Sequence, residues 1–551
     1  MSRERVLLAV ALVLFTGLAT YQLALPGLHY DEAFEAVPAM QLLLNQPVTS
    51  FRDNGIQLGG RLFPLMTQDY IGAINTYAAI PFFLLLGITP ISLRIMAVFI
   101  GLLTLWLTYR LAHLLYDSLV AALAVLLLAV NPTFVFWSRQ GVFVTSVTAA
   151  IGLGVVLMWL SWWRTGARRF AIAGAFLLGL GLYAKFLFVW LIAALGLALI
   201  VLNLHRWREL GRRLLKLPIG WSVLAFFAGC APLVIYNLQT GGTVHSVGDN
   251  LTTSYYGTNN LALIPNLLER LKQIAVVLTG SHFWYLGGTY VNWVSLFVFL
   301  AALGITLGAW VIVRNRDEVR RVLLPFVVVG GVIIASCATV SALWMTHFAI
   351  LVPWPALAVA AAIGLVVRRY ELCVVRSRAS LILILTLAAV VAASWFVDVV
   401  NIARYHQALS ISGGLGTHSD AVEDLASWLE ADGRRGAPVV AMDWGISAPV
   451  TFLTLGAVTP VEAFGYEWET DADFTARLER FINEPASLYL WRAPDEVIFN
   501  RGGEFRRLYE PLGLEEDILE AFYERSGRPV LGVTLLVPEG TALNPPAPLE
   551  D

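Results

Sequence analysis

Long apolar runs, each closed by a polar or charged break, recur along the first 400 residues, and the pattern changes after that. The runs fall at 6–25, 71–88, 91–109, 119–137, 142–163, 170–184, 186–204, 217–237, 291–313, 322–342, 346–367 and 379–398. Most approach the ~20 residues a helix needs to cross a bilayer. Beyond residue 400 the runs shorten and alternate with charge, which predicts a mixed α/β domain. Its elements are an amphipathic helix at 421–430, a buried strand at 438–443, a second helix near 474–482 and a strand at 487–491. The chain therefore divides into a transmembrane portion, 1–400, and a soluble portion, 401–551. The final residues, with Pro545, Pro546 and Pro548, read as a loose end.

Basic residues orient the spans. Clusters at Arg3 and Arg5, at Arg110, at Arg164 with Arg168 and Arg169, from Arg206 to Lys216, from Arg314 to Arg321 and from Arg368 to Arg378 mark cytoplasmic ends. If 71–88 crossed the membrane, every later cluster would lie opposite Arg3 and Arg5. If it lies at the surface, all clusters share one side, which then holds 19 of the 26 Lys and Arg residues of 1–400. Pro81 and Asn75 within that run also disfavour a simple crossing. The expectation is a polytopic α-helical membrane protein with about 11 spans and juxtamembrane helices. Its N-terminus is cytoplasmic and 401–551 is an extracytoplasmic α/β domain. The same parity puts Lys185 at the outer end of two short helices, and leaves 26–90, 238–290 and 399–551 as the long outer segments.

Composition agrees. Of the 551 residues, 58% are hydrophobic and 14% charged, where soluble domains carry roughly 25% charge, so a soluble globular protein is excluded. The net charge of −2 conceals an asymmetry: residues 401–551 hold 25 of the 39 acids and 11 of the 37 bases. Cys230, Cys337 and Cys373 lie in or beside apolar runs, and no CxxC motif or disulfide framework exists. A cysteine-free outer domain suits a prokaryotic cell surface. The first apolar run is longer than the ~7–15 residues of a cleaved signal and reads as a retained helix.

Candidate chemistry gathers in the first outer segment. There His29-Tyr30-Asp31-Glu32-Ala33-Phe34-Glu35 follows the first helix directly. Asp31 and Glu35 are spaced i, i+4, so a helix puts both on one face, and its dipole favours the acids at its start. The bland reading of Asp31 is a helix cap; an ionisable cluster at the mouth of an apolar bundle argues instead for use. Asp53 and Asp69 lie in the same segment. Few cations face it: Arg52, Arg61, Arg94, Arg139, Lys185 and His347. Arg94 as a headgroup anchor, or Arg52 and Arg61 as loop solvation, need no function. Lys185 interrupts an otherwise almost wholly apolar stretch. Carboxylates beside cations at an outer membrane face suit transfer from a lipid phosphate, with one carboxylate as general base and the cations on the departing phosphate.

In order along the chain, these segments resemble the GT-C glycosyltransferases, in particular the protein O-mannosyltransferases and lipid A aminoarabinose transferases. His29-Tyr30-Asp31-Glu32-Ala33 is similar to the family's Asp-Glu motif. Asp69-Tyr70-Ile71-Gly72 through Phe82-Phe83-Leu84-Leu85-Leu86-Gly87 is similar to its juxtamembrane segment, and Ser92-Leu93-Arg94 to its Leu-Arg-Leu helix start. Ser138-Arg139, Gly181-Leu182-Tyr183-Ala184-Lys185 and Thr346-His347-Phe348 with Pro353 and Pro355 follow. The resemblance implies a GT-C fold and an inverting transfer from a polyprenyl-phosphate sugar to a glycan, lipid or protein hydroxyl, without nucleic acid. It implies Asp31 as base, Glu32 in support, and Lys185, Arg139, His347 and Arg94 at the donor phosphate. Tyr30, Glu35, Asp69 and Tyr70 are further substrate-binding candidates.

The sequence also departs from the family. Thr67-Gln68-Asp69-Tyr70 stands where a Lys-Pro-Pro-Leu is usual, no carboxylate follows Arg139, and His347 replaces an Arg. These changes leave the sugar open and point to a metal-independent reaction with no cofactor. Trp444, Trp468, Trp491 and Tyr466 form either a sugar-stacking surface or domain core. A transporter or lipid-linked-sugar flippase is the alternative, but it needs polar residues at mid-depth along the bundle. A purely structural or sensory protein leaves Asp31, Glu32 and Lys185 without a role.

Overall fold

A computed structural model describes residues 3–140, 144–254, 257–313, 316–338, 344–371, 378–431, 436–464 and 471–541. Cys373, Tyr466, Trp468, Pro545, Pro546 and Pro548 lie outside these residues.

Each expected apolar run is mainly helical over its described residues. Six helices are long and apolar enough to cross a membrane: Pro90–Leu115, Ser146–Thr165, Phe186–Leu214, Trp293–Ile312, Arg316–Ser336 and Leu385–Ser412. Two bent pairs raise the number to eight. They are Ile219–Gly229 with Ala231–Thr240, bent by 60°, and Met345–Leu351 with Pro353–Arg369, bent by 45°. Each second helix carries a proline in its first turn or at its start, which cannot donate to the preceding turn. The expected count of 11 is not established, because the remaining helices are short. Ser118–Ala129 has 12 residues and breaks at Asn131 before Pro132–Trp137, and Arg168–Ala184 has 17. The run at 71–88 yields a 13-residue helix, Ile74–Leu86 with Pro81 inside. At 1.5 Å per residue that is roughly 20 Å, too short to cross.

Close backbone approach locks the bundle. A Cβ on Gly179 would meet the Phe226 carbonyl at 2.0 Å, and one on Gly229 the Phe176 carbonyl at 2.2 Å. Only glycine lets these two helices touch so closely. In the first loop, the hairpin Ile56–Leu58 with Arg61–Phe63 turns through Gly59 and Gly60, whose φ values of +60° and +78° suit glycine. The segment 238–290, expected as one of the long outer segments, contains the helices Gly242–Asp249 and Leu263–Thr279.

The last membrane helix, Arg378–Ser412, runs past residue 400 before Gly413 and Gly414 end it. Beyond it lies a five-stranded sheet in the order Val461–Glu462, Val439–Ala441, Leu488–Arg492, Pro529–Pro538, Leu514–Tyr523. The first three strands are parallel and the last two join antiparallel. Period-2 alternation sorts the two faces. Val439, Ala441, Leu488 and Leu490 pack on the helix Ala421–Glu430, while Val440, Met442 and Tyr489 pack on Asp471–Ile482 and Gly502–Tyr509.

Candidate active site

The helix Tyr30–Leu44 carries the acids, and its geometry sends them to three environments. His29 precedes it in extended backbone and accepts from the Asp31 N–H through Nδ1 at 3.2 Å, so the cap is the histidine and not the aspartate. That leaves the Asp31 carboxylate at the helix start, its side chain 44% exposed, with His29 Nδ1 3.8 Å away.

Glu32, about 100° further round, points into the protein and is fully buried. It takes a bidentate pair from Arg94, Nε to Oε2 at 2.9 Å and Nη2 to Oε1 at 3.0 Å. Arg94 spends its remaining donors on the carbonyls of Leu23 at 3.0 Å, Ala24 at 2.7 Å and Gly27 at 3.3 Å. Its fork is filled by the protein, leaving nothing to offer a phosphate. Glu35 is buried one turn beyond Asp31. It accepts from Asn75 Nδ2 at 2.7 Å, while the Thr76 hydroxyl donates to its carbonyl at 2.7 Å. Burial pushes the Glu35 carboxyl up to about 8; Asn75 and Lys185 oppose the rise and Asp31 adds to it.

Lys185 reaches this face because two segments are stitched together. The helix Arg168–Ala184 stops at Lys185, whose backbone is extended and bridges Ile71. Phe186 N–H donates to the Tyr70 carbonyl at 2.9 Å. Gly72 makes the fit possible, since a Cβ there would sit 2.3 Å from the Tyr183 carbonyl. Lys185 is buried, and desolvation draws its ammonium down to about 8 while Asp31 and Glu35 hold it up. Asp31, Glu35 and Lys185 thus form one electrostatic unit.

Tyr70 contributes backbone to this junction. Asp69 beside it is committed elsewhere: Arg52 grips it at 2.8 and 2.9 Å and the Tyr236 hydroxyl donates to it at 2.5 Å. Arg61 is held by Asn45 and the Leu42 carbonyl.

His347 is buried in the turn Met345–Leu351, with Nδ1 3.1 Å from the Trp344 carbonyl and Lys185 and Arg270 as charged neighbours. Arg270, which the sequence reading missed, is 3% exposed on Leu263–Thr279. Its Nη1 donates to Gln273 at 3.4 Å, and its Nε and Nη2 have no hydrogen-bond partner. A buried guanidinium with two nitrogens unpartnered is suited to an anion. The amphipathic pattern of 263–279 was the signal for it.

Arg139 is fully buried and donates through Nη2 to the carbonyls of Tyr21 at 2.8 Å, Gln22 at 2.5 Å and Leu25 at 3.3 Å. Desolvation draws it down to about 9, with Arg94 adding to the fall. Arg94 and Arg139 therefore both grip the turn that leads from the first helix into His29.

The C-terminal domain closes on the same helix. Ala33, Ala36, Val37 and Met40 pack with Ala448 and Phe452, and the Trp444 ring lies 4.5 Å from Tyr30. His29 stacks on His418 at 4.2 Å, and His418 on Tyr285 at 3.9 Å. Burial holds both imidazoles below their ordinary range. Trp491 donates to Thr534 at 3.0 Å and packs on Phe505, so it belongs to the domain core. Among the described residues no group of three or more His, Cys, Asp or Glu is placed to hold a metal.

The apolar helices and the fold make this a membrane protein with the GT-C fold. Residues 75–236 match the family model of the dolichyl-phosphate-mannose-protein mannosyltransferases. The structure is similar to ArnT from Cupriavidus metallidurans bound to undecaprenyl phosphate, with a TM-score of 0.59 at 13% identity, covering 96% of this chain and 97% of that one. It is also similar to the Archaeoglobus fulgidus oligosaccharyltransferase in the apo form, with a TM-score of 0.54 at 12% identity, covering 89% of this chain and 69% of that one. AglB from Archaeoglobus fulgidus, in complex with an inhibitory peptide and a dolichol-phosphate, gives a TM-score of 0.53 at 12% identity over the same shares. No curated protein sequence matches the chain.

Proposed function

We propose that this protein is an inverting glycosyltransferase that moves a sugar from a polyprenyl-phosphate donor to an acceptor hydroxyl on the outer face of the membrane. The observation that carries this reading is that an exposed carboxylate, Asp31, is the electrostatic neighbour of a buried lysine, Lys185, which is held at a junction built by Gly72 and Tyr70. Asp31 takes the proton from the acceptor hydroxyl as that oxygen attacks the anomeric carbon from the face opposite the phosphate. The C–O bond to the phosphate breaks, and polyprenyl phosphate leaves with the bonding pair. Lys185, Arg270 and His347 surround that charge, and Arg270 brings two uncommitted nitrogens to it.

Glu32 acts through Arg94: the buried pair fixes the turn that aims Asp31. Arg139 supports the same turn. A base and a set of cations suffice for this displacement, and no step is assigned to a cofactor. Undecaprenyl phosphate on the similar ArnT and dolichol-phosphate on the similar AglB support a polyprenyl-phosphate donor.

The test is a panel of labelled polyprenyl-phosphate sugars offered to membranes containing the protein. One donor is expected to be consumed, with polyprenyl phosphate released and the label found in an acceptor with inverted anomeric configuration. If every donor survives, the reading fails. Movement of an intact donor between leaflets would make the protein a flippase instead.

A further inference from the structure

We infer that the soluble domain aims the base: its His418 is a positioning residue that holds the His29 ring and, through that ring, the start of the helix presenting Asp31. This rests on the glycosyltransferase reading and deepens it. Among the described residues no side chain hydrogen-bonds to the Asp31 carboxylate, so its direction is inherited from the backbone at the helix start.

That start is capped in an uncommon way. Caps are usually Ser, Thr, Asp or Asn, whose short side chains reach the first N–H groups directly. Here the acceptor is an imidazole nitrogen, Nδ1 of His29, 3.2 Å from the Asp31 nitrogen. Its lone pair lies in the ring plane, so the cap exists only while that plane is held.

A stack of flat rings holds it. His418 stacks on His29 with centroids 4.2 Å apart and planes 13° from parallel, and Tyr285 stacks on His418 at 3.9 Å and 16°. Trp444 meets His29 edge-on at 6.1 Å. The stack is anchored in both parts of the chain. The Tyr285 hydroxyl donates to Gln140 Oε1 at 2.8 Å, and the Tyr285 carbonyl accepts from the Leu415 N–H at 2.8 Å. His418 sits in the turn Gly416–His418, whose Gly416 N–H donates at 2.8 Å to Oε1 of Glu524, in the bend between the last two strands.

Backbone contact sets the spacing, since a Cβ on Gly27 would overlap the Ser419 carbonyl. The turn preceding His29 and the turn carrying His418 therefore touch directly, while Arg94 grips the Gly27 carbonyl from the membrane portion. The His418 Nδ1 has no hydrogen-bond partner among the described residues, so what His418 brings to His29 is a flat face. Lys185 and Arg270 stand on other elements. Loss of the stack thus misdirects Asp31 and leaves donor binding alone.

The experiment compares full-length wild type, His418→Phe and His418→Leu in membranes. Both replacements fill the site with apolar atoms, but only phenylalanine keeps a flat ring. With the polyprenyl-phosphate sugar that wild type consumes, His418→Leu is expected to lose roughly 10- to 100-fold in kcat with donor KM unchanged. His418→Phe is expected to restore kcat to within a few-fold of wild type. A second readout needs no turnover: acylation of His29 by diethyl pyrocarbonate, mapped by mass spectrometry. His29 is expected to react several times faster in His418→Leu than in wild type or His418→Phe.

Wild-type kcat in His418→Leu, an equal loss in both variants, or a loss of kcat matched by a rise in donor KM overturns the proposal. Equal acylation of His29 in all three proteins overturns it too. Absence of turnover by wild type is a different failure, that of the glycosyltransferase reading, and acylation then still decides whether the stack holds His29.

Discussion

Replacing Arg94 with methionine tests whether Glu32 is chiefly a structural anchor. The substitution leaves a fully buried carboxylate without its partner, which costs about 3–5 kcal/mol in comparable sites. It also strips a donor from the carbonyls of Leu23, Ala24 and Gly27, each worth about 1 kcal/mol. Partial relaxation of the turn brings the expected loss to roughly 5 kcal/mol, a large share of the ~5–15 kcal/mol that holds a folded protein together.

Glu32→Gln alone keeps an acceptor and loses the charge, at about 1.5–3 kcal/mol. The double variant Glu32→Gln/Arg94→Met removes the buried charges altogether, so its cost falls short of the sum by at least about 2 kcal/mol. The assay is cooperative unfolding in mild detergent, followed by tryptophan fluorescence, for the four proteins of the cycle. Loss below about 1 kcal/mol for Arg94→Met, or strict additivity in the double variant, would refute the anchoring role.

Other expectations follow from the same geometry. Lys185→Met removes a charge-assisted contact worth about 1.5–3 kcal/mol, so donor KM should rise roughly 10- to 100-fold; an unchanged donor titration would remove Lys185 from the site. Arg270→Gln should raise donor KM without lowering stability, because two of its nitrogens have no protein partner to lose. Thermal unfolding with and without polyprenyl phosphate checks this: the lipid should protect wild type and not the variant, and a destabilised apo variant would count against it.

Glu35 is a carboxyl whose folded pKa, about 8, lies above its ordinary 4.5. The folded state therefore binds the extra proton between those values, and its contribution to stability is full below pH 4.5 and lost as pH rises toward 8. Glu35→Gln should flatten that limb of the stability profile; an unaltered profile contradicts the assignment. Gly72→Ala should lower both stability and activity by parting Lys185 from the first loop, since its Cβ overlaps the Tyr183 carbonyl; wild-type turnover would show the junction to be dispensable.

Much of this was legible in the chain. Apolar runs of near-span length define their helices because burial in lipid demands satisfied backbone over the whole run. Pro81 and Asn75 marked 71–88 as the exception, and Ile74–Leu86 is short. The i, i+4 spacing of Asp31 and Glu35 carried through, as did the odd position of Lys185. In the soluble portion the helix Ala421–Glu430 and the strand Leu488–Arg492 stood out by period.

What escaped the sequence is what depends on partners. Arg94 and Arg139 read as cations facing a site, but the carbonyls of the turn 21–27 claim them, and backbone acceptors leave no trace in side-chain patterns. Arg270 was hidden by the opposite effect, since its helix is amphipathic rather than apolar and stands outside the membrane-length runs. The hairpin Leu514–Tyr523 with Pro529–Pro538, which completes the sheet, was missed: the acids of its first strand mask the period-2 pattern. The long membrane helix that ends at Ser412 shows why a boundary at 400, drawn where apolarity fades, falls inside an element.

The central claim is that Asp31 is the base for transfer from a lipid phosphate. Its most direct test compares single-turnover transfer by wild type and Asp31→Asn, with the donor that wild type consumes, in preparations matched for folding. Asparagine keeps the size of the side chain and the His29 cap but cannot take a proton, so transfer should fall by roughly 100- to 10,000-fold, while donor binding changes little. Transfer by Asp31→Asn within a few-fold of wild type would contradict the account.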